Sequence, residues 1–301
     1  FEASWNPMTS NPAVSPKAAL ATAVAAVSAG AILVRLSEAP SSVAAFYRVL
    51  FTTVPLGAVA AWRYRADIAR IRPRDLAFAA LSGVALAVHF AAWFESLRWT
   101  SVAASVTLVQ AQPVFGALGA WLLLRERVTR RMAAGIAVAV GGMVSMSFGD
   151  FLSGVAVGPR PLYGNALALT GAVAAAGYVL AGRSLRQRIS LVPYVTVVYG
   201  VCVLVLLLFV LAAGHPLTGY PPREWLLFVG LAAGPGLLGH TVLNWALAHL
   251  ESSVVSVSLL GEPVGATLLA VAFLSETPTP ATVVGGCVVL LGIYVTAAAD
   301  R

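Results

Sequence analysis

Ten continuous apolar stretches occupy most of this 301-residue chain. Each is close to the ~20 residues that an α-helix needs to cross the hydrocarbon core of a bilayer. Because the stretches are continuous rather than alternating in polarity, they favour membrane-spanning helices over transmembrane strands. The sequence therefore predicts an all-α integral membrane protein with ten transmembrane helices. The predicted spans are Ala18–Leu36, Ser41–Trp62, Asp75–Phe94, Thr100–Leu124, Met132–Phe148, Leu162–Ala181, Leu191–Ala213, Trp225–Leu247, Ser252–Leu274 and Ala281–Ala299.

The composition excludes several classes of protein. Hydrophobic residues make up 59% of the chain and charged residues only 10%, whereas a soluble domain carries about 25% charged residues. A soluble enzyme, a nucleic-acid binder and a disordered chain are therefore excluded. Cys202 and Cys287 both lie in apolar runs, so they form neither a disulfide framework nor a C-x-x-C metal site. No metal or cofactor is expected.

The positive charges are distributed unequally between the two sides of the predicted membrane. If the N-terminus is cytoplasmic, 14 of the 19 Lys and Arg residues lie on the cytoplasmic side and three on the opposite side. Cytoplasmic loops of membrane proteins are enriched in Lys and Arg. Both termini are therefore predicted to be cytoplasmic.

An internal repeat emerges when the second half of the chain is aligned on the first at an offset of 150 residues. Matched pairs include Pro113 with Pro263, Glu126 with Glu276, Gly135 with Gly285 and Gly142 with Gly292. Because each copy has five helices, an odd number, the two copies are predicted to be inverted, an arrangement that places a substrate site near the midplane. The predicted organisation is a disordered N-terminal tail at 1–15, a first five-helix repeat at 16–149, a periplasmic linker at 150–161 and a second five-helix repeat at 162–299.

Two segments carry a specific family resemblance. LVQAQPVFGALGAWLLLRERVT and LLGEPVGATLLAVAFLSETPT resemble the bacterial drug/metabolite transporter superfamily, in the branch with paired EamA-type domains, over about residues 16 to 299. The whole chain is similar to amino-acid and paraquat exporters of that branch. The resemblance implies a secondary transporter in a bacterial inner membrane. The four-helix relatives couple protons through a glutamate in helix 1, but helix 1 here has no acid, so that mechanism does not carry over.

Polar residues inside the predicted spans are candidates for a binding site, because they are costly in hydrocarbon. Arg48 is the one cation well inside a predicted span. It would attract a substrate carboxylate, or else satisfy backbone carbonyls in a structural role. His89 and Trp93 share one face of helix 3, as His240 and Asn244 do on helix 8.

The polar positions recur between the two halves of the chain. The pairs His89 with His240 and Arg48 with Tyr199 are each 151 residues apart, close to the repeat offset. This indicates a shared cavity, with interhelical hydrogen bonds as the alternative. The predicted substrate-binding residues are Arg48, His89, Trp93, Gln112, Tyr178, Tyr199, His240 and Asn244.

Glu262 is the one carboxylate predicted near mid-membrane. Burial disfavours its charged form, which makes it a candidate for proton coupling. The residue aligned with it in the first repeat, 150 positions earlier, is Gln112, which does not titrate. Alternatively, Glu262 is structural and hydrogen-bonds backbone groups that Pro263 leaves free.

The segment Gly234-Pro235-Gly236 is predicted to break or bend helix 8 and to act as a hinge. With Gly239 it fits G-x-G-x-x-G, but no strand precedes it, so a dinucleotide site is not expected. Proline removes a backbone donor from a helix, and such breaks occur in membranes only where protein or water satisfies the freed groups. The alternative is a kink that serves packing alone.

Together these features predict a secondary transporter that exports small amphipathic metabolites, foremost amino acids including aromatic ones, by alternating access. A proton-coupled multidrug or quaternary-cation exporter is the alternative. A membrane-embedded enzyme is not expected, because no nucleophile–base pair or metal cluster is found. The expected partners are a small-molecule substrate and the lipid bilayer, without nucleic acid. The sequence does not determine the oligomeric state, and a monomer is compatible with it.

Overall fold

A computed structural model of the chain describes residues 15–124, 128–153, 158–239, 242 and 258–298. In these residues the regular structure is helical. The α-helices are α1 Pro16–Leu36, α2 Ser41–Arg63, α3 Arg65–Ala69, α4 Pro73–Trp99, α5 Val102–Val109, α6 Gln112–Leu124, α7 Arg130–Ser153, α8 Pro161–Leu185, α9 Leu191–Ala212, α10 Pro222–Leu231, α11 Gly261–Leu274 and α12 Pro280–Ala298. A π-helix, Ala232–Gly239, continues directly from α10.

Eight stretches of the described chain are helical, long and apolar enough to cross a membrane, and α11 adds a shorter apolar helix. The prediction of an all-helical membrane protein is confirmed at this level. The predicted eighth and ninth spans, Trp225–Leu247 and Ser252–Leu274, extend into residues outside the described ranges. The full ten-helix arrangement therefore stays a prediction.

The predicted fourth span, Thr100–Leu124, is not one continuous helix. It consists of α5 and α6, which are separated at Gln110 and Ala111. Pro113 explains the break, because its ring has no N–H to donate to Val109 and would clash with that carbonyl in a regular α-helix. The chain instead tightens there, and the N–H of Ala111 donates to the oxygen of Leu108. The short helix α3 lies in a segment predicted as a loop.

The two halves of the chain share helix positions at the offset found in the sequence. Helices α2 and α9 begin at Ser41 and Leu191, and α7 and α12 begin at Arg130 and Pro280, each pair 150 residues apart. The packing between the halves is reciprocal. Helix α4 packs along α8, and α1 packs along the π-helix; α1 also packs on α11, as α8 packs on α6. Each of these contacts joins one half to the other.

The α7–α12 contact is close because glycines line it. A Cβ atom added to Gly142 would lie 2.7 Å from the backbone nitrogen of Val289 and 2.9 Å from the oxygen of Gly285. One added to Gly135 would lie 2.6 Å from the nitrogen of Thr296. Small residues allow helix backbones to approach in this way within membranes.

Replacing Gly142 with Val is therefore expected to destabilise the protein. The new side chain would overlap the backbone of α12, at a cost of about 1–3 kcal/mol for an overpacked site. The measurement is the thermal unfolding temperature of the purified protein in detergent. Gly141 is the matched control, because it is exposed and nothing lies within 4 Å of an added Cβ. An equal fall in unfolding temperature for Gly141→Val would contradict this account of the contact.

Ionic contacts join the helices at the end where α1 finishes. Arg35 forms an ion pair with Glu276 at 2.9 Å and donates to the oxygen of Leu97 at 2.6 Å. The other Glu276 oxygen accepts from the backbone N–H of Val102 at 2.6 Å, which caps the first turn of α5. Buried Glu224 accepts from Ser37 at 2.5 Å. These contacts hold both halves of the chain together at this end.

Candidate functional site

Arg48 lies in the middle of the bundle with its guanidinium over aromatic rings. It is 5% exposed. The guanidinium carbon lies 4.4 Å from the centre of the Phe90 ring, 5.6 Å from that of Trp93 and 5.5 Å from that of Phe94. These three residues share a face of α4 because they are spaced three and four apart. The rings stabilise the cation without neutralising its charge.

Two buried donors at this place have no hydrogen-bond partner. They are Nη1 of Arg48 and Nε1 of Trp93, and within the described ranges no other buried side-chain nitrogen or oxygen lacks one. Most buried polar side-chain atoms in proteins are hydrogen-bonded. Both donors are therefore available to an acceptor from outside the chain.

His89 has a structural contact. Its Nδ1 hydrogen-bonds with the backbone oxygen of Gly171 on α8 at 3.0 Å, and its ring stacks on Trp93 with centres 5.9 Å apart. This is the interhelical hydrogen bond considered above as the alternative to substrate binding. A role for His89 in binding stays a prediction.

Glu262 is half-buried in the first turn of α11. Its Oε2 accepts a hydrogen bond from Nε2 of Gln110 at 2.6 Å. Its backbone oxygen accepts from the hydroxyl of Ser28 on α1 at 3.3 Å, and the Trp93 ring beside Arg48 would lie 3.8 Å from a Cβ atom added to Gly30 on the same helix. The structure therefore places a cation from α2 and a carboxylate from α11 near the same part of α1, between residues from both halves of the chain.

Gln110, rather than Gln112, is the glutamine that contacts Glu262. Gln112 begins α6 and is half-buried. Gln112 occupies the position equivalent to Glu262 in the first repeat, and its role in substrate binding stays a prediction. Sequence reasoning also missed Phe90, which lies closest to Arg48. The Q-A-Q-P pattern at the helix break could have indicated Gln110, whereas an aromatic residue in an apolar helix gave no such signal for Phe90.

Two tyrosines complete the set of described candidates. Tyr199 on α9 and Tyr178 on α8 are both half-buried, and both pack against the hydrophobic cluster that contains Phe90 and Trp93. Their role in substrate binding stays a prediction. The remaining candidates, His240 and Asn244, lie outside the described residues.

The predicted hinge residues lie within the π-helix. Pro235 is buried, and its ring carbon Cγ would lie 3.3 Å from a Cβ atom added to Gly30 on α1. A Cβ added to Gly236 would lie 2.7 Å from the hydroxyl oxygen of Thr52 on α2. That hydroxyl donates to the backbone oxygen of Arg48 at 2.8 Å. The π-helix therefore packs against α2 at Thr52, one helical turn from Arg48. Its role as a hinge stays a prediction.

A lateral groove of about 800 Å³ lies between α1 and α11. Its lining includes Leu20, Val24, Ser28, Gly265 and Leu268, and is mostly apolar. Among the described residues, none of the predicted binding residues lines it. Ser28 of the lining donates through its hydroxyl to the backbone oxygen of Glu262 at 3.3 Å.

A solved crystal structure shares this fold. It covers 95% of this chain and 97% of its own chain, with a TM-score of 0.61 at 20% sequence identity. Named relatives come from two organisms. An uncharacterized transporter of Archaeoglobus fulgidus is 26% identical over 260 residues, which is 84% of this chain and 86% of the relative. A probable terminal-alkyne amino-acid exporter of Streptantibioticus cattleyicolor is 28% identical over 231 residues, which is 75% of this chain and 74% of the relative.

The family match covers both halves of the chain. Residues 17–148 and residues 162–298 each match the model of the EamA-like transporter family. Together the two matches span well over half of the sequence, and they confirm the resemblance to the drug/metabolite transporter superfamily. The chain belongs to the EamA-like transporter family and is a membrane transporter.

Proposed function

We propose that this transporter exports amino acids, including aromatic ones, and binds the substrate carboxylate at Arg48. The observation that carries the proposal is the buried guanidinium with an unpartnered Nη1. A buried charge without a partner is costly, and an ionisable residue inside the membrane is a candidate for a functional site. A carboxylate from the substrate would satisfy the donor and neutralise the charge.

The walls around Arg48 favour an amphipathic substrate. Phe90, Trp93 and Phe94 are all less than a tenth exposed and surround the guanidinium with aromatic surface. Such a site combines a fixed charge with apolar contact area, which is the usual composition of a small-molecule pocket. The relative from Streptantibioticus cattleyicolor, whose name specifies an amino-acid exporter, supports this substrate class.

Alternating access between two inverted five-helix repeats is the proposed mechanism. The reciprocal packing of α4 on α8 and of α1 on the π-helix is what a two-fold relation between the halves would produce. Five helices per copy would invert the second copy in the membrane. The π-helix would then flex between states, with Gly234, Pro235 and Gly236 as its hinge.

The proposed orientation has both termini in the cytoplasm of a bacterium, with the protein in the inner membrane. The unequal distribution of Lys and Arg supports it. Reporter fusions after Trp62 and after Leu124 would both report the cytoplasm. A periplasmic signal from either would contradict this orientation.

A proton-coupled exporter of drugs or quaternary cations is the second candidate function. Glu262 favours it, because an exporter of cations needs a carboxylate near the site. Its Oε1 accepts no hydrogen bond from the residues that the structure describes, so it is free to bind a proton or a cation.

Uptake into proteoliposomes separates the two functions. Purified protein would be tested with labelled amino acids and labelled quaternary cations, with and without a proton gradient. We expect saturable transport of phenylalanine and related amino acids, and little transport of the cations. Transport of cations alone would overturn the amino-acid proposal and support the alternative.

A further inference from the structure

Two opposite charges face the same region of the bundle without neutralising each other. Arg48 and Glu262 both lie beside the same part of α1. The Trp93 ring next to Arg48 would lie 3.8 Å from a Cβ atom added to Gly30, and Ser28, two residues earlier, donates to the backbone oxygen of Glu262 at 3.3 Å. Arg48 and Glu262 nevertheless form no ion pair with each other, since the ion pairs of the described residues join other partners. Each of the two groups keeps an unused hydrogen-bonding atom, Nη1 of Arg48 and Oε1 of Glu262. A ligand that carries both charges would satisfy both groups at once.

The cationic side of this arrangement has two donors. Nη1 of Arg48 and Nε1 of Trp93 are both buried and unpartnered, and the guanidinium carbon lies 5.6 Å from the Trp93 ring centre. A carboxylate has two acceptor oxygens, and it binds most strongly when each accepts from a separate donor. Trp93 thus supplies the second donor of a carboxylate site, in addition to its aromatic surface.

The anionic side is held in place by a neutral group. Nε2 of Gln110 donates to Oε2 of Glu262 at 2.6 Å, which fixes the carboxylate and leaves Oε1 open. The amide of Gln110 makes this contact without neutralising the negative charge, whereas a Lys or Arg would neutralise it. An ammonium group donates up to three hydrogen bonds and accepts none, so it suits the open oxygen.

We propose that Glu262 receives the ammonium group of the substrate while Arg48 and Trp93 hold its carboxylate, so that the site recognises zwitterionic α-amino acids. This inference rests on the proposed amino-acid function and adds the residues that select for the amino group. A simple carboxylic acid would leave Glu262 unpaired, and a simple amine would leave Arg48 unpaired. Both are therefore expected to bind less tightly than the amino acid.

An ammonium-binding role for Glu262 and a proton-carrying role predict different effects of the Glu262→Gln substitution. A proton carrier that is removed leaves substrate affinity intact and abolishes the dependence of transport on the proton gradient. An ammonium-binding carboxylate that is removed lowers affinity for every ligand with an amino group. Affinity measurements on purified protein therefore distinguish the two roles.

The test uses three ligands of one shape: phenylalanine, 3-phenylpropionate without the amino group, and phenethylamine without the carboxylate. Binding to the purified protein in detergent is measured by isothermal titration calorimetry. For Glu262→Gln we expect affinity for phenylalanine and phenethylamine to fall about tenfold or more, with little change for 3-phenylpropionate. For Trp93→Phe we expect the affinity for phenylalanine and 3-phenylpropionate, which both carry a carboxylate, to fall about threefold or more, and the affinity for phenethylamine to stay the same. Glu38→Gln, at an exposed carboxylate with 84% side-chain exposure, is the control and is expected to change none of the three.

The outcomes separate this inference from the proposed function. If the unaltered protein binds none of the three ligands, the proposed function fails and the inference with it. If it binds phenylalanine and Glu262→Gln changes no affinity, or lowers all three equally, the inference alone is overturned. Gln110→Leu is the second variant, for use if Glu262→Gln does not fold. It frees the carboxylate from its anchor and is expected to weaken the two ligands that carry an amino group.

Discussion

Arg48→Gln is expected to lower amino-acid transport at subsaturating substrate by about 10- to 100-fold, the effect of losing a charge-assisted hydrogen bond in a buried site. The glutamine is shorter and carries no charge, so it cannot neutralise a substrate carboxylate. Arg48→Lys keeps the charge without the planar donors that lie over Phe90, and is expected to give an intermediate rate. The measurement is the initial rate of phenylalanine uptake into proteoliposomes.

The thermal stability of the same variant separates substrate binding from a structural role. The side chain of Arg48 makes no hydrogen bond to the residues that the structure describes, and its Nη1 is buried and unpartnered. Removing an unpaired buried charge should leave the substrate-free protein as stable as before or more stable. Arg223→Gln, at an exposed position, is the control for loss of positive charge. A large fall in the unfolding temperature of Arg48→Gln would identify Arg48 as structural and contradict the binding role.

Gly236→Ala is expected to slow transport about tenfold while leaving the protein folded, if its overlap with Thr52 costs about 1–3 kcal/mol in one of the transport states. The added Cβ would lie 2.7 Å from the Thr52 hydroxyl oxygen, which donates to the backbone oxygen of Arg48. The π-helix would then be pushed away from α2 beside the proposed site. The measurement is the turnover rate in proteoliposomes with the unfolding temperature measured in parallel.

Two further variants make this prediction specific. Gly234→Ala is the matched control for the steric overlap, because nothing lies within 4 Å of a Cβ added there, and it should slow transport much less than Gly236→Ala does. Thr52→Ala removes the hydroxyl that Gly236→Ala meets, so the double variant should recover much of the lost rate. Equal losses in Gly234→Ala and Gly236→Ala, or no recovery in the double variant, would contradict the proposed contact and its role.

The large-scale features of this fold were predictable because they depend on composition and spacing. Apolar segments long enough to span a bilayer become helices, since only internal hydrogen bonds satisfy the backbone there. The glycines that the sequence alignment matched on α7 and α12 line a close helix contact, in which a Cβ atom added to Gly142 would lie 2.7 Å from the backbone nitrogen of Val289. The burial of Arg48 follows from its position deep in a predicted span.

The detailed geometry of the site was not predictable to the same degree. Pro113 indicates a disruption of the helix, but not that the turn falls at Gln110 and Ala111. The hydrogen bond from Gln110 to Glu262 forms at this turn, and its partner lies more than 150 residues away in the sequence, so spacing alone did not identify it. In the sequence, Phe90 does not differ from the other apolar residues of α4. Its ring lies under Arg48 because of the way α2 packs on α4.

A structure with bound 4-bromophenylalanine would test the central claim most directly, with the bromine located by its anomalous scattering. The account predicts that a carboxylate oxygen lies within about 2.7–3.2 Å of Nη1 of Arg48, the range of a charge-assisted hydrogen bond. The bromophenyl ring should then lie beside Phe90 and Trp93. Bromine in the groove between α1 and α11, with Nη1 of Arg48 still unpartnered, would contradict it.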